Sequence, residues 1–173
     1  MDRATLEQRH ANMAAIRSTN TAPERAVRSA LFKLGFRFRK NDARLAGKPD
    51  IVLPHYHAII FVNGCFWHGH VPFAVEKLLS LKNPSQKKKV YSAKACPKYH
   101  IPKTNSEFWV NKIKRNRERD TKEIQELIEE GWRVCLVWEC SITGKKRSEK
   151  IRNVSEKISL WLEEEFDKTF AEF

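Results

Sequence analysis

The stretch from Ile59 to His70, I-I-F-V-N-G-C-F-W-H-G-H, constrains the fold of this chain more than any other. It begins as an apolar run of strand character and empties into a turn carrying Cys65, Phe66, Trp67, His68 and His70. Cys65 and His70 are spaced as a pair of metal ligands, whereas His68, between them, does not serve the same ion if it points the other way. Phe66 and Trp67 are large apolar side chains set among polar ones, of little use there unless something flat stacks on them. The stretch reads as the edge of an active site built on a structural metal, and the rest of the chain as its support.

The flanking segments fit that role. Residues 5–17, with Leu6, Met13 and Ile16, make a weak amphipathic helix or an arm ordered by a partner. T-A-P-E at Thr21 to Glu24 has the form of a capping box and opens a helix through Leu34, with Val27, Ala30, Leu31 and Leu34 as its buried stripe and Gly35 as its stop. F-R-F-R at Phe36 to Arg39 alternates like an edge strand. Pro49 to Pro54 predicts a short buried strand headed by the carboxylate of Asp50, and a turn at His55 to His57 pairs it antiparallel with Ala58 to Val62. That hairpin sets Asp50 near the level of Val62 and Asn63. An acid there, beside a turn bearing His, is a plausible site for a hard cation such as Mg²⁺.

Beyond His70, residues 71–95 change texture, with the basic run at Gln86 to Lys89 and only a short helical pattern at Val75 to Leu81. They read as an inserted basic loop, or as a small helix with a linker. T-N-S-E at Thr104 to Glu107 predicts a second capping box and a long basic helix to Gly131. W-R-V-C-L-V-W at Trp132 to Trp138 is a continuous apolar strand expected at the centre of a sheet, with Glu139 and Cys140 at its exit. A C-terminal helix is expected over 148–173, with Ile151, Val154, Ile158, Leu160 and Leu162 on its apolar side. No internal repeat or second domain is evident, so 1–173 is taken as one domain.

Charge narrows the partners. A net charge of +12 points to a polyanion, first of all nucleic acid. Acidic residues outnumber basic ones from Glu149 onward, so the positive excess is concentrated before it, as a binding face requires. No apolar run reaches the roughly 18 residues of a membrane span, and the N-terminus lacks a signal peptide's apolar core. A cytoplasmic location follows as the expectation, and there four Cys near several His favour metal over disulfides.

The metal set is then Cys65, His70, Cys96 and Cys140, a Cys₃His group of the kind that closes structural zinc sites, with four free thiols as the alternative. Cys135, inside the apolar strand, reads as a small core residue. Asp50 as a Mg²⁺ ligand and His68 as general base or acid form the candidate hydrolytic pair. Glu24 has a structural explanation in its capping box, which leaves its carboxylate within possible reach of that pair. Phe66, Trp67 and Trp109, the last in the first turn of the basic helix, suit wedging between bases, against core packing as the alternative.

Taken together, P-D-I-V-L-P, I-F-V-N-G-C-F-W-H-G-H, P-K-T-N-S-E-F-W-V-N-K-I-K-R-N-R-E-R-D and G-W-R-V-C-L-V-W-E-C resemble the very-short-patch repair DNA mismatch endonucleases, relatives of restriction enzymes. The resemblance runs from about Ala4 to Cys140 and takes in A-N-M-A-A-I-R-S-T-N-T-A-P-E as the family's N-terminal arm, here 1–20. It implies an α/β fold, a mixed central sheet flanked by helices with a structural zinc site, and a Mg²⁺-dependent nick 5′ to the T of a T·G mismatch left by deamination of 5-methylcytosine. It implies further that Asp50 and the backbone carbonyl of Val62 contact magnesium, that His68 is the general base with Glu24 in support, and that Cys65, His70, Cys96 and Cys140 hold zinc. Phe66, Trp67 and Trp109 match intercalating aromatics.

Two departures stand out. Asn63 occupies a position where some members carry a second catalytic His, and 71–95 intervenes before Cys96 where members often place the next Cys close behind His70. The expected partner is double-stranded DNA bearing a T·G mismatch, with mismatch-repair proteins as a further candidate. The chain is expected to act as a monomer at the nucleoid. The rivals are a restriction-like endonuclease on matched duplex and a zinc-stabilised DNA-binding module without catalysis.

Overall fold

The computed structural model describes residues 19–70 and 98–173, Cys96, and the single positions Thr5, Glu7, Gln8, Ala11 and Ala15. The expected arm over 1–20 and the inserted loop over 71–95 lie mostly outside these residues. The described chain forms a five-stranded sheet in the order β1-β2-β3-β4-β5, flanked by helices.

Helix α1 spans Ala22–Lys33, and its capping box is complete: Glu24 N–H donates to Thr21 Oγ1 at 3.4 Å and Thr21 N–H donates to Glu24 Oε1 at 3.1 Å. The helix ends at Leu34, and Gly35 follows at φ +97°, a conformation that other residues adopt with strain. Val27 and Leu31 are buried as expected, but Leu34 is exposed and Arg28 is buried in its stead.

Strand β1 is shorter and later than F-R-F-R suggests, covering only Arg39–Lys40. Phe36 drops into the core, and the Arg37 guanidinium folds back onto the carbonyls of Gly35 and Phe36, so pairing begins at Arg39 opposite Val52. The hairpin forms as predicted: β2 (Ile51–Leu53) and β3 (Ala58–Asn63) are antiparallel, with Ile51 opposite Ile60, joined by a single turn of 3₁₀ helix at Pro54–Tyr56.

Helix α2 (Ser106–Glu129) carries the chain to β4 (Arg133–Trp138), which runs parallel to β3 from Ala58 opposite Arg133 to Asn63 opposite Trp138. The second capping box does not form: Asn105 enters the left-handed region at φ +53° and no side chain caps the helix. All of β4 is buried, in keeping with its unbroken apolar run. Short helix α3 (Glu139–Ile142) and helix α4 (Arg147–Glu163) follow.

The C-terminal helix expected over 148–173 stops at Glu163, and the chain returns as β5 (Phe170–Glu172), parallel to β4 on the far edge of the sheet. Arg133 explains the stop. Its guanidinium, buried at the start of β4, donates to the carbonyls of Trp161, Leu162, Glu165 and Lys168 and lies over the Trp161 ring, so the unpaired carbonyls of the helix end are met by a side chain from the sheet.

Two apolar layers sandwich the sheet. On one face Val27, Leu31, Ile60, Val137, Ile158 and Trp161 join α1 and α4 to the strands; on the other Ile59, Ile124, Leu127, Val134 and Leu136 join α2. Each such side chain contributes about 1.5–3 kcal/mol when fully buried, which fixes the strand ends where the chemistry-bearing residues emerge. Among the described residues no helix is long and apolar enough to cross a membrane.

Candidate active site and metal centre

Strands β3 and β4 end side by side at Asn63 and Trp138, so the turn after the first and the helix after the second meet. This delivers Cys65 and His70 from the turn and Cys140 from α3 to one point, where Cys96 joins them. The turn is wound tightly, with His68 N–H donating to the Gly64 carbonyl at 3.1 Å and His70 N–H to the Cys65 carbonyl at 2.9 Å. Gly69 makes the winding possible. It sits at φ +57°, and a Cβ there would lie 2.6 Å from Ile113 Cγ2, so the turn can press against α2 only without a side chain at this position.

The four ligand atoms lie within 4.8 Å of one another, with His70 Nδ1 3.5 Å from Cys65 Sγ and 3.4 Å from Cys140 Sγ. A tetrahedral zinc site has N–S edges of about 3.5 Å, given bonds of about 2.0 and 2.3 Å. The donors are therefore spaced to hold one metal ion. Burial pushes the Cys65 and Cys140 thiols up and holds the His70 imidazole down at about 4, so the histidine is neutral and able to donate its lone pair. The His70 ring stacks on Trp138 at 4.0 Å, and Lys98 N–H points at Cys96 Sγ at 3.3 Å, as outer groups that orient metal ligands do. Cys135 is wholly buried in β4 and stands apart from this group.

Asp50 directly precedes β2. Its Oδ2 accepts a hydrogen bond from Val62 N–H at 2.7 Å, which puts the carboxylate at the level of β3 that the hairpin predicts. Burial raises this carboxyl to about 7, and the nearby charge of Glu24 adds to the rise, while the Val62 N–H, Arg28 and His68 oppose it. A carboxyl desolvated in this way is favoured in its charged form by a nearby cation. Glu24 is itself buried and occupied: it accepts from Asn20 N–H and from Thr21, and Arg28 lies 3.6 Å away. Its negative charge adds to the rise at Asp50.

His68 faces the other way from His70, as its place in the turn suggests. Its Nδ1 lies 2.5 Å from Asp120 Oδ2 on α2, leaving Nε2 for another partner. The pair opens on a cleft of 340 Å³ between the 43–48 loop and α2, with Asn63, Arg119 and Glu123 on its walls and Phe61 and Leu136 beneath. Asp120, which meets His68, is the residue of this cleft that sequence reading missed. A signal was there: with Ile113, Ile124 and Leu127 it falls on the stripe of α2 that faces the sheet, and an acid on an apolar stripe asks for a buried partner.

The three aromatics also meet. Phe66 lies 5.1 Å from both Trp67 and Trp109 and the two tryptophans are 6.0 Å apart, all edge-on, with Asn116 Nδ2 donating to the Trp67 carbonyl at 2.9 Å. The cluster is half-buried and extends to the exposed Phe108.

A family model described as DNA mismatch endonuclease Vsr matches residues 1–72. The chain is 43% identical over 141 residues to the Type II nicking enzyme V.NmeAIP of Neisseria meningitidis serogroup A, covering 82% of this chain and 84% of that protein. It is 38% identical over 154 residues to the Type II nicking enzyme V.XorIIP of Xanthomonas oryzae pv. oryzae, with 88% and 96% covered. To the DNA mismatch endonuclease Vsr of Escherichia coli K12 it is 37% identical over 163 residues, with 93% and 85% covered. A mixed sheet whose exit gathers metal-capable groups, in a chain with these relatives, is the framework of a DNA endonuclease. The chain belongs to the DNA mismatch endonuclease Vsr family.

Proposed function

We propose that this endonuclease nicks duplex DNA 5′ to the T of a T·G mismatch produced by deamination of 5-methylcytosine, with Mg²⁺ at Asp50 and Val62 and zinc at Cys65, His70, Cys96 and Cys140. The observation that carries the mismatch reading is the aromatic cluster in which Phe66 and Trp67, on the same turn as His68, meet Trp109 of α2. A wedge of flat side chains enters a duplex most readily where stacking is already weak, and a mismatch is such a place. The basic stretch of α2, with Lys112, Lys114 and Arg115 ahead of Asp120, suits the phosphate backbone.

The roles follow from position. Asp120 takes the Nδ1 proton of His68 in a hydrogen bond, which fixes the ring and its tautomer; Nε2 then accepts the proton of the attacking water. Magnesium supplies charge for the phosphoryl oxygens. Asn63, where some relatives have a histidine, offers an amide that hydrogen-bonds a phosphate oxygen but transfers no proton. Glu24 and Arg28 set the charge around Asp50.

The test is nicking of otherwise identical T·G, T·A and C·G duplexes, with and without Mg²⁺. A nick confined to the T·G duplex and to Mg²⁺ is the expected result. Equal cutting of T·A would put the matched-duplex reading in its place, and full cutting without any divalent ion would remove magnesium from Asp50.

A further inference from the structure

Arg119 and Glu123 line the cleft beside His68 and Asp120, yet proton transfer through that pair uses neither. Neighbouring side chains on a helix diverge by about 100°. Arg119 nonetheless bends across to its neighbour, with Nη2 3.0 Å from Asp120 Oδ1, while its Nε lies 3.6 Å from Glu123 Oε1. It adopts this pose although 55% of its side chain is exposed and water lies open to it. Asp120 is thereby shared, one oxygen held by Arg119 and the other by His68.

Glu123 stays in the cleft because the facing loop holds it there. A Cβ on Gly47 would stand 2.8 Å from Glu123 Oε2, so the bare backbone of that loop packs against the carboxylate. Burial raises this carboxyl above its usual range; Asp120 and Glu126 add to the rise, and Arg119 and His68 oppose it. Among the described residues, a phosphodiester approaching His68 thus meets the carboxylates of Asp120 and Glu123, with Arg119 and, on the loop side, Lys48 as cations of the cleft wall.

We propose that Arg119 is a charge-compensating residue that neutralises Asp120 and Glu123 so that the DNA backbone can seat beside His68. The enzyme needs a carboxylate at Asp120 to hold its base, and that same charge repels the substrate. Arg119 reconciles the two demands, and Glu123 keeps Arg119 bent into the cleft when DNA is absent. The inference rests on the reading of His68 as the group that faces the scissile phosphate.

A binding cycle tests it, using the full chain, short T·G and matched duplexes, and no added divalent ion. Arg119→Ala should weaken both duplexes about tenfold, the scale of one half-exposed charge near a phosphate. Adding Glu123→Gln should bring affinity back to within about threefold of the parent, because the charge left uncompensated has gone. Arg119→Lys should stay within about threefold, and the loss in Arg119→Ala should shrink as salt is raised. Metal content and melting temperature confirm folding; if Arg119→Ala does not fold, Arg119→Gln, which keeps part of the stem, replaces it in the cycle. An Arg119→Ala chain that binds like the parent, or a double variant as weak as the single one, overturns the proposal. Undiminished nicking by His68→Ala would instead remove the general-base reading, an outcome the metal-free binding cycle does not share.

Discussion

The two ends of the parallel β3–β4 pair treat buried polarity in opposite ways. At the entry of β4 the Arg133 guanidinium donates to carbonyls of the end of α4 and of the segment that follows it. At the exit, the half-buried Asp50 accepts a backbone N–H on its carboxylate, thiols gather around His70, and His68 and Asp120 open on a cleft. A buried charge with its partners built in is architecture; one whose electrostatics favour an added cation marks a site.

The predictions sharpen that division. At the exit, His68→Ala should slow single-turnover nicking by about 10²- to 10⁴-fold, the usual reach of a general base, with duplex affinity retained. Asp120→Asn should show a smaller loss of the same kind, since it leaves the ring in place but weakens its hold. If Asp120→Asn nicks at the parent rate, the pair is a packing contact only.

The thiol cluster comes next. The double variant Cys96→Ser, Cys140→Ser should lose its metal and melt well below the parent, because three thiols and an imidazole converge within 4.8 Å of one another and an ion bound there would tie the turn to α3. Cys135→Ser should keep its metal in full, being set in β4 away from the cluster. Metal analysis by mass spectrometry decides; zinc retained by the double variant would remove the assignment.

Much of this exit was legible in the sequence because Asp50, Val62 and the turn from Cys65 to His70 lie on one hairpin and its continuation. The hairpin register and the Asp50–Val62 level follow from short-range pattern and strand alternation, whereas the Cys₃His set rests on the Cys65–His70 spacing, on Cys140 at the exit of a central strand and on Cys96 as the family resemblance aligns it. What was not legible depends on contacts across the chain. The C-terminal helix was drawn too long because its stop is made by Arg133, about thirty residues upstream in sequence, and β5 is too short to show alternation. Asp120 was passed over because its neighbours are charged, and only the stripe it shares with Ile113 and Ile124 tells it apart. The second capping box failed because Asn105 turns left-handed, which composition does not reveal.

A smaller effect lies at the sheet edge between the two ends. Burial raises Glu172 to about 7, although Trp138 Nε1 donates to it at 2.6 Å. A carboxyl raised in the folded state favours folding below its ordinary value of 4.5, and that contribution is lost as pH climbs through about 7. Glu172→Gln keeps the acceptor for Trp138 and removes the charge. It should therefore stabilise the protein by about 1–2 kcal/mol at pH 8, after allowance for partial exposure, and hardly at all at pH 5. Thermal unfolding at the two pH values reads the difference, and an equal shift at both would detach Glu172 from it.

The most direct test sets the two ends against each other in one experiment: the single-turnover nicking rate and the unfolding free energy of Asp50→Asn and Arg133→Met, measured on the same preparations with a T·G duplex and Mg²⁺. The account predicts a crossed result. Asp50→Asn should lose nicking by at least about 10³-fold while its stability does not fall, since the charge it removes is one that burial disfavours. Arg133→Met should lose about 3 kcal/mol of stability, the cost of orphaning several helix-end carbonyls, and nick within about threefold of the parent where it remains folded. Parental nicking by Asp50→Asn, or a loss of chemistry without a loss of stability in Arg133→Met, would contradict it.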